Sequence, residues 1–495
     1  MDIISTPITV MFVIYILAML LIGWLGYRST QDLSDYILGG RKLGAFVVAL
    51  AAGASDMSGW LLMGLPGEVY DTGLSASWIA IGLIIGAYFN WRLVAARLRV
   101  YTERSGDALT LPDYFSNRFQ DTSNVLRIVS AIVILLFFTL YCASGVVAGA
   151  RLFESMFGMS YPAALWLGAF CTIAYVFIGG FLAVSWTDTV QASLMFTALV
   201  LIPLIVLHQV GGLNEAVTVA QSVQPTSVDV LSGVSKVGVI SALAWGLGYF
   251  GQPHILVRFM AADSVQTIPH ARRIGMTWMI LCLGGAVAVG FFGIAYFAAH
   301  PEQAAGVIAN PERVFIEFSM LLFNPWIAGI LLAAILAAVM STLSAQLLVC
   351  SSSLTQDIYK TFVRRRASDK ELVWFGRSMV LLVALIAIAL AWNPESRVLA
   401  MVSYAWAGFG AAFGPVVLMS LMWRRMTRNG ALAGMIVGAV VVLVWNHFSW
   451  FGIYEIIPGF LFGALAIYLV SQMGREPDAT VTEVFDQVQT ELRAL

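Results

Sequence analysis

The amino-acid sequence predicts an all-α integral membrane protein with about thirteen transmembrane helices, on three observations. Of its 495 residues, 60% are hydrophobic and only 11% charged, less than half the charged share of an ordinary soluble domain, which is about a quarter. Apolar stretches long enough to span a bilayer recur along the whole chain. The basic residues cluster on alternate connections, as in a chain threaded back and forth through a membrane. So little charge excludes a water-soluble enzyme and a disordered scaffold. A formal net charge of −1 leaves no overall field to gather nucleic acid or an acidic partner.

The spans fall at 7–27, 44–71, 76–97, 124–152, 162–179, 182–208, 237–257, 274–299, 314–350, 373–392, 398–423, 430–448 and 452–471, bounded by charge clusters or turn residues. The first is an anchor rather than a cleavable signal, because Asp2 stands where a basic segment belongs and the apolar core reaches spanning length. With the N-terminus outside, only Arg151, Lys236, Arg313 and Arg397 of the 27 basic residues face outward. Arg41, Lys42, the Arg97/Arg99/Arg104 group, Arg364 to Arg366, and Arg424, Arg425 and Arg428 then lie on the inner side. An odd number of spans leaves the C-terminus cytoplasmic, so the expectation is a multi-pass protein of the cell (inner) membrane. The hydrophilic stretches 98–123, 209–236 and 351–372 and the acidic tail 472–495 are too short for a soluble output domain; the tail reads as a surface helix. Cys142, Cys171, Cys282 and Cys350 sit in apolar stretches without metal-ligand spacing and read as buried hydrophobes.

Two spans are interrupted. The second contains Gly53-Ala54-Ser55-Asp56-Met57-Ser58-Gly59-Trp60, and the seventh contains Trp245-Gly246-Leu247-Gly248-Tyr249-Phe250-Gly251-Gln252-Pro253. Irregular backbone at membrane depth must face protein or a water-filled cavity. The two breaks are five spans apart, so each opens a five-helix unit and the second unit runs with inverted polarity. Paired breaks of this kind point to an inverted-repeat transporter with its site at the midplane. Glycines also serve close helix packing, but packing does not account for Asp56, since a charge at the centre of a span costs at least 2.5–3.5 kcal/mol, roughly. Gly246-x-Gly248-x-x-Gly251 matches a dinucleotide fingerprint by letter only, because it lies inside an apolar span with no strand before it.

The ninth span places Ala338, Ser341 and Thr342 on one helix face. Hydroxyls there commonly bond back to carbonyls one turn earlier. A hard cation, however, wants several oxygens at once. The Ser341 and Thr342 hydroxyls, the Ala338 carbonyl, and carbonyls freed by unwinding at Ala54 and Met57 make five neutral ligands. Such a set suits a monovalent ion that must later leave.

These residues resemble the sodium:solute symporter family. The likeness is carried by Leu38-Gly39-Gly40-Arg41-Lys42-Leu43-Gly44, Ala54 to Trp60, Gly179-Gly180-Phe181-Leu182-Ala183-Val184-Ser185-Trp186-Thr187-Asp188, Trp245 to Pro253 and Ala338 to Thr342, and it covers nearly the whole chain. It implies a LeuT-like fold: a first helix and inner loop (1–43), repeats at 44–208 and 237–423, and two C-terminal helices (430–471). It implies sodium as the co-transported ion, held by Ala54, Met57, Ala338, Ser341 and Thr342, with Asp56 and Asp188 supporting its use. It implies a substrate site lined by Ser58, Gly59, Tyr141, Trp245, Tyr249 and Pro253, and an inner-side role for Arg41, which otherwise reads as a plain positive-inside anchor. The implied function is uptake of L-proline coupled to inward sodium movement by alternating access. The carboxylate of such a zwitterion suits the helix start near Ser58, and its ammonium and ring suit the aromatic faces. Asp56 is expected to serve the ion without ligating it.

Other readings are a sodium symporter for another small organic solute, or a channel or substrate-sensing receptor. Channels build symmetric pores from few-span subunits, and receptors carry output domains; neither pattern is seen. No Gly-x-x-x-x-Gly-Lys-Ser/Thr loop supports ATP-driven transport. No enzymatic activity, nucleic-acid partner or obligate protein partner is expected.

Overall fold

The computed structural model describes residues 6–393 and 397–493, apart from the side chains of residues 175, 178 and 179. Asp2 lies outside the described residues. Among these, every long element is a helix, and the only strand-like pairing is an isolated parallel bridge between Leu43 and Ala262. Among the described residues, ten helices are long and apolar enough to cross a membrane. The two interrupted spans and Tyr161–Ala174 account for the remaining expected crossings.

Burial orders these helices from centre to rim. The most apolar stretch of Pro325–Val363 is 89% buried and that of Val398–Met422 is 83% buried, against 22% for Thr6–Ser29. Central helices therefore pack against protein on every side, while Thr6–Ser29 presents Val13, Ile14, Leu17 and Leu21 outward, as a lipid-facing helix must.

Both expected interruptions are present. Ala45–Asp56 ends at Met57 (φ −89°, ψ 84°), and helical structure resumes as a π-helical turn, Trp60–Gly64, followed by Leu65–Thr72. Lys236–Leu243 tightens into a 3-10 stretch, Ala244–Gly251, then opens at Gln252 (ψ 105°) and restarts as Pro253–Met260. Proline at the first helical position suits that restart, since its missing N–H would have had no partner there.

Two boundaries differ from the sequence expectation. The span at 314–350 is two helices, Val314–Leu322 and Pro325–Ser352. Asn324 makes the division: its side chain accepts from the N–H groups of Trp326 (3.1 Å) and Ile327 (3.2 Å), capping the second helix ahead of Pro325. The spans at 162–179 and 182–208 run together from Tyr161 to Gln209 with one kink at Gly180, whose φ of 69° favours glycine. A Cβ there would also lie 2.8 Å from the Tyr36 ring. The tail forms the expected surface helix, Ala479–Arg493, which buries Val481, Phe485 and Val488 and pairs Asp486 with Arg424 at 3.0 Å.

Candidate functional site

Helix ends leave backbone groups without intrahelical partners, so each break exposes carbonyls and amides that neighbouring side chains can meet. At the first break, the Ser341 hydroxyl donates to the Ala54 carbonyl (2.8 Å) and to the Ala338 carbonyl (3.1 Å). The Thr342 hydroxyl donates to the same Ala54 oxygen at 3.3 Å. Four of the five expected ion ligands therefore form one hydrogen-bonded cluster, from residues almost 300 positions apart. The fifth, Met57, is the first residue beyond the helix, and its ψ of 84° turns its carbonyl out of the helix direction. All five residues are buried.

Asp56 reaches across to the second interrupted span. Its Oδ2 accepts a short hydrogen bond from the Tyr249 hydroxyl on the second interrupted span, and its Oδ1 has no hydrogen-bond partner among the described residues. The Ser341 and Thr342 hydroxyls bond to Ala54 and not to Asp56. The Tyr141 hydroxyl donates to the Asp56 carbonyl at 3.4 Å, with Ser58 and Trp60 beside it. Asp56, Ser58, Tyr141 and Tyr249 thus meet at one point between the breaks.

Trp245 stands at the other end of its 3-10 stretch. Its carbonyl accepts from Trp406 Nε1 at 2.7 Å, and its ring lies 5.6 Å from Tyr454 and 6.4 Å from Trp60. It also borders a hollow of about 290 Å³ lined by Glu68, Asp71, Glu312 and Arg397. Pro253 sits at the opposite end, over a small cavity of about 20 Å³ lined also by Phe181, Arg258, Ser352 and Ser353. Gly59 is a packing position: a Cβ there would lie 2.8 Å from Ala148 and 3.2 Å from Val339. Gly246 is likewise pressed against the Gly82 carbonyl, 2.2 Å from where its Cβ would be. Close packing thus explains this glycine, as the sequence allowed.

Asp188 is fully buried and paired with Arg258 at 3.0 Å. The Arg258 guanidinium also donates to the His254 carbonyl (3.1 Å) and lies 4.9 Å from the Phe181 ring. Arg41 is no loose anchor. It donates to the Met260 carbonyl (2.6 Å), the Ala108 carbonyl (2.9 Å), Thr102 (3.2 Å) and Asp107 (2.8 Å).

Sequence reasoning missed Trp406, Tyr454, His254 and Arg258. Arg258 carries a signal that was available: a basic residue nine positions past Tyr249 in an otherwise apolar stretch needs a buried acid. Trp406 and Tyr454 carry no such mark, since aromatic residues are common in every span.

The model of the sodium:solute symporter family matches residues 36–438. The sodium/proline symporter of Escherichia coli strain K12 is 68% identical over 97% of this chain and 96% of its own. The high-affinity proline transporter of Bacillus subtilis strain 168 is 54% identical, over 95% of this chain and 99% of its own. Among solved structures, a Na+-coupled sialic acid symporter in a substrate-bound outward-open state superposes with a TM-score of 0.81 at 20% identity, covering 96% of this chain and 99% of that one; this likeness concerns the fold. The chain belongs to the sodium:solute symporter family.

Proposed function

We propose that this protein is a secondary active transporter of the cell membrane that couples inward sodium movement to uptake of L-proline. The observation that carries the ion half of this reading is the oxygen cluster of Ala54, Ala338, Ser341 and Thr342. On binding, sodium takes the lone pairs of both hydroxyls, whose protons turn away from the Ala54 and Ala338 carbonyls, and Met57 adds a fifth oxygen. Neutral ligands hold the ion without trapping it. The substrate half rests on the cluster between the breaks, where Tyr141 and Tyr249 stand beside Asp56, with Trp245 one turn before Tyr249; their rings suit a small apolar ring and the Asp56 carboxylate suits an ammonium. High identity to sodium/proline symporters along the whole chain supports proline as the solute.

The distribution of basic residues supports an outer N-terminus and an inner C-terminus. The two interrupted spans support pairing the repeats at 44–208 and 237–423. Alternating access then closes the hollow at Trp245 while opening the cavity under Pro253.

The test is uptake of labelled L-proline into proteoliposomes holding the purified chain under an imposed sodium gradient. One sodium crossing 100 mV releases about 2.3 kcal/mol, and a tenfold gradient adds about 1.4 kcal/mol. One-to-one coupling then supports accumulation of about several hundredfold. Equal uptake in sodium-free vesicles buffered with potassium would sink the proposal.

A further inference from the structure

His254 is the first residue after the proline that restarts the second interrupted span. It is fully buried, yet neither Nδ1 nor Nε2 has a hydrogen-bond partner among the described residues. A buried polar group left without a partner costs about 1–3 kcal/mol. A ring that exposes two such atoms at a break in a helix is built for a partner that arrives from elsewhere. Its position says which one. The ring lies edge-on to Tyr141, centroids 6.0 Å apart, and the hydroxyl of that same tyrosine reaches the Asp56 carbonyl at 3.4 Å. Tyr141 therefore touches both groups: the segment that carries an unpartnered carboxylate oxygen, Asp56 Oδ1, and an unpartnered imidazole.

We infer that His254 is a specificity-determining residue that donates a ring N–H to the carboxylate of the transported zwitterion, while Asp56 receives its ammonium. The inference rests on the transport reading above and says how the site recognises its solute. Three features orient the substrate this way. A second carboxylate beside Asp56 would be repelled, which argues against the helix start near Ser58 as its seat. The eight-residue helix Pro253–Met260 begins beside His254 and presents its positive end there. Arg258 lies one turn further along the same helix face, its guanidinium bonded to the His254 carbonyl at 3.1 Å. A neutral imidazole has one N–H to donate, and a bond from it to a carboxylate is charge-assisted and correspondingly strong. A site built to bond a substrate group discriminates sharply against analogues that lack it.

The experiment compares competition by L-proline and by L-prolinamide, whose carboxylate is replaced by a neutral amide, against labelled L-proline uptake in proteoliposomes. His254→Phe keeps the ring and its edge contacts with Phe138 and Tyr141 but has no ring nitrogen. His254→Gln keeps an N–H donor. The expected result is that His254→Phe raises half-saturating proline about tenfold or more and brings the two competitors close together, with half-saturating sodium unchanged. His254→Gln should recover part of the preference. If His254→Phe is unstable, the purified Gln variant and the unmutated protein are compared by direct binding of both competitors, and a Gln variant that binds neither one while still binding sodium also counts against the inference. An unchanged proline-to-prolinamide ratio in His254→Phe, or a change confined to sodium dependence, overturns it. Absence of sodium-stimulated proline uptake in the unmutated protein would instead overturn the transport reading itself.

Discussion

At the first interrupted span the helix is broken over only two residues, Met57 and Ser58, and the exposed carbonyl of Ala54 is met by two hydroxyls of a neighbouring helix. At the second, the chain is distorted over the eight residues Ala244–Gly251 and at Gln252. There the backbone is held by the scaffold: Trp406 donates to the Trp245 carbonyl at 2.7 Å, and Gln252 Nε2 donates to the Trp406 carbonyl at 3.2 Å. The charges differ as well. Asp56 is the last helical residue before the first break and bonds to a neutral tyrosine, whereas the charge of the second span follows its break, in Arg258, and is matched by Asp188. Exchangeable oxygen contacts suit an ion that comes and goes, while a backbone tied to tryptophan and pressed on glycine suits a wall that carries aromatic rings. The number of glycines in a span therefore reports packing, and unbalanced polar residues report chemistry.

The largest effect is expected where the second span matches its charge. Arg258→Met leaves Asp188 buried and unpaired, which costs about 3–5 kcal/mol, read as a large drop in thermal stability of the purified protein. Pairing it with Asp188→Leu should restore most of that stability, because a buried ion pair is replaceable by apolar groups of similar volume. A double variant as unstable as the single one would mean that the pair does more than cancel charge.

Next comes the charge in the first break. Asp56→Asn keeps the size, loses the charge and is expected to lower coupled uptake by about a hundredfold or more, since charge-assisted hydrogen bonds contribute about 1.5–3 kcal/mol each. Asp56→Glu should retain some transport at a raised sodium requirement. The bond to Tyr249 ties the carboxylate to the proposed substrate site, so titrations of the Asn variant should show both sodium and proline binding weakened. Loss of sodium affinity alone would return Asp56 to a purely ionic role.

Much of this contrast was legible in the sequence. Asp56 stands out because charge is rare at membrane depth, and the Gly/Pro run from Gly246 to Pro253 marks a break for any reader of helix propensity. The expected oxygen set of Ala54, Ala338, Ser341 and Thr342 was legible from the face that Ala338, Ser341 and Thr342 share and from the broken second span, and the family resemblance pointed to the same residues. What stayed hidden was which side chain meets which across the bundle. Asp56 and Tyr249 are 193 positions apart, and Trp406 and Trp245 are 161 apart. The division at Asn324 was missed because its apolar flanks outweigh one capping residue in any hydropathy window.

Thr342→Ala tests whether the oxygens of the first break are exchangeable ligands or packing. The Thr342 hydroxyl contacts the Ala54 carbonyl at 3.3 Å, more distant than Ser341 at 2.8 Å. Removing it deletes one of five oxygens and leaves the aromatic pocket intact. Half-saturating sodium should rise about tenfold, corresponding to about 1.4 kcal/mol, with part of the rate recovered at high sodium. Unchanged sodium dependence in a well-inserted variant would mean that residues 338–342 only pack.

The smallest effect is expected at the point where the two spans are joined. Beneath the breaks, the Leu43 N–H donates to the Ala261 carbonyl at 3.2 Å, and the Asp263 N–H donates to the Leu43 carbonyl at 3.0 Å. Arg41 reinforces this seam from the loop ahead of the first span by donating to the Met260 carbonyl at the end of the second, at 2.6 Å. Its ion pair with Asp107 contributes little, because the Asp107 side chain is 65% exposed and solvent screens the pair. The partly buried bonds to Met260, Thr102 and Ala108 need the fork of a guanidinium, and a lysine ammonium cannot span them all. If the two spans move as one body, loosening this seam slows the conformational change and leaves both binding sites intact. Arg41→Lys should therefore lower the maximal rate of proline uptake by about threefold to tenfold, the loss of one or two ordinary hydrogen bonds, with half-saturating sodium and proline unchanged. Asp107→Asn should leave the rate nearly unaltered. A shift in sodium half-saturation with the rate preserved would show instead that Arg41 holds the first break in shape and that the two spans move independently.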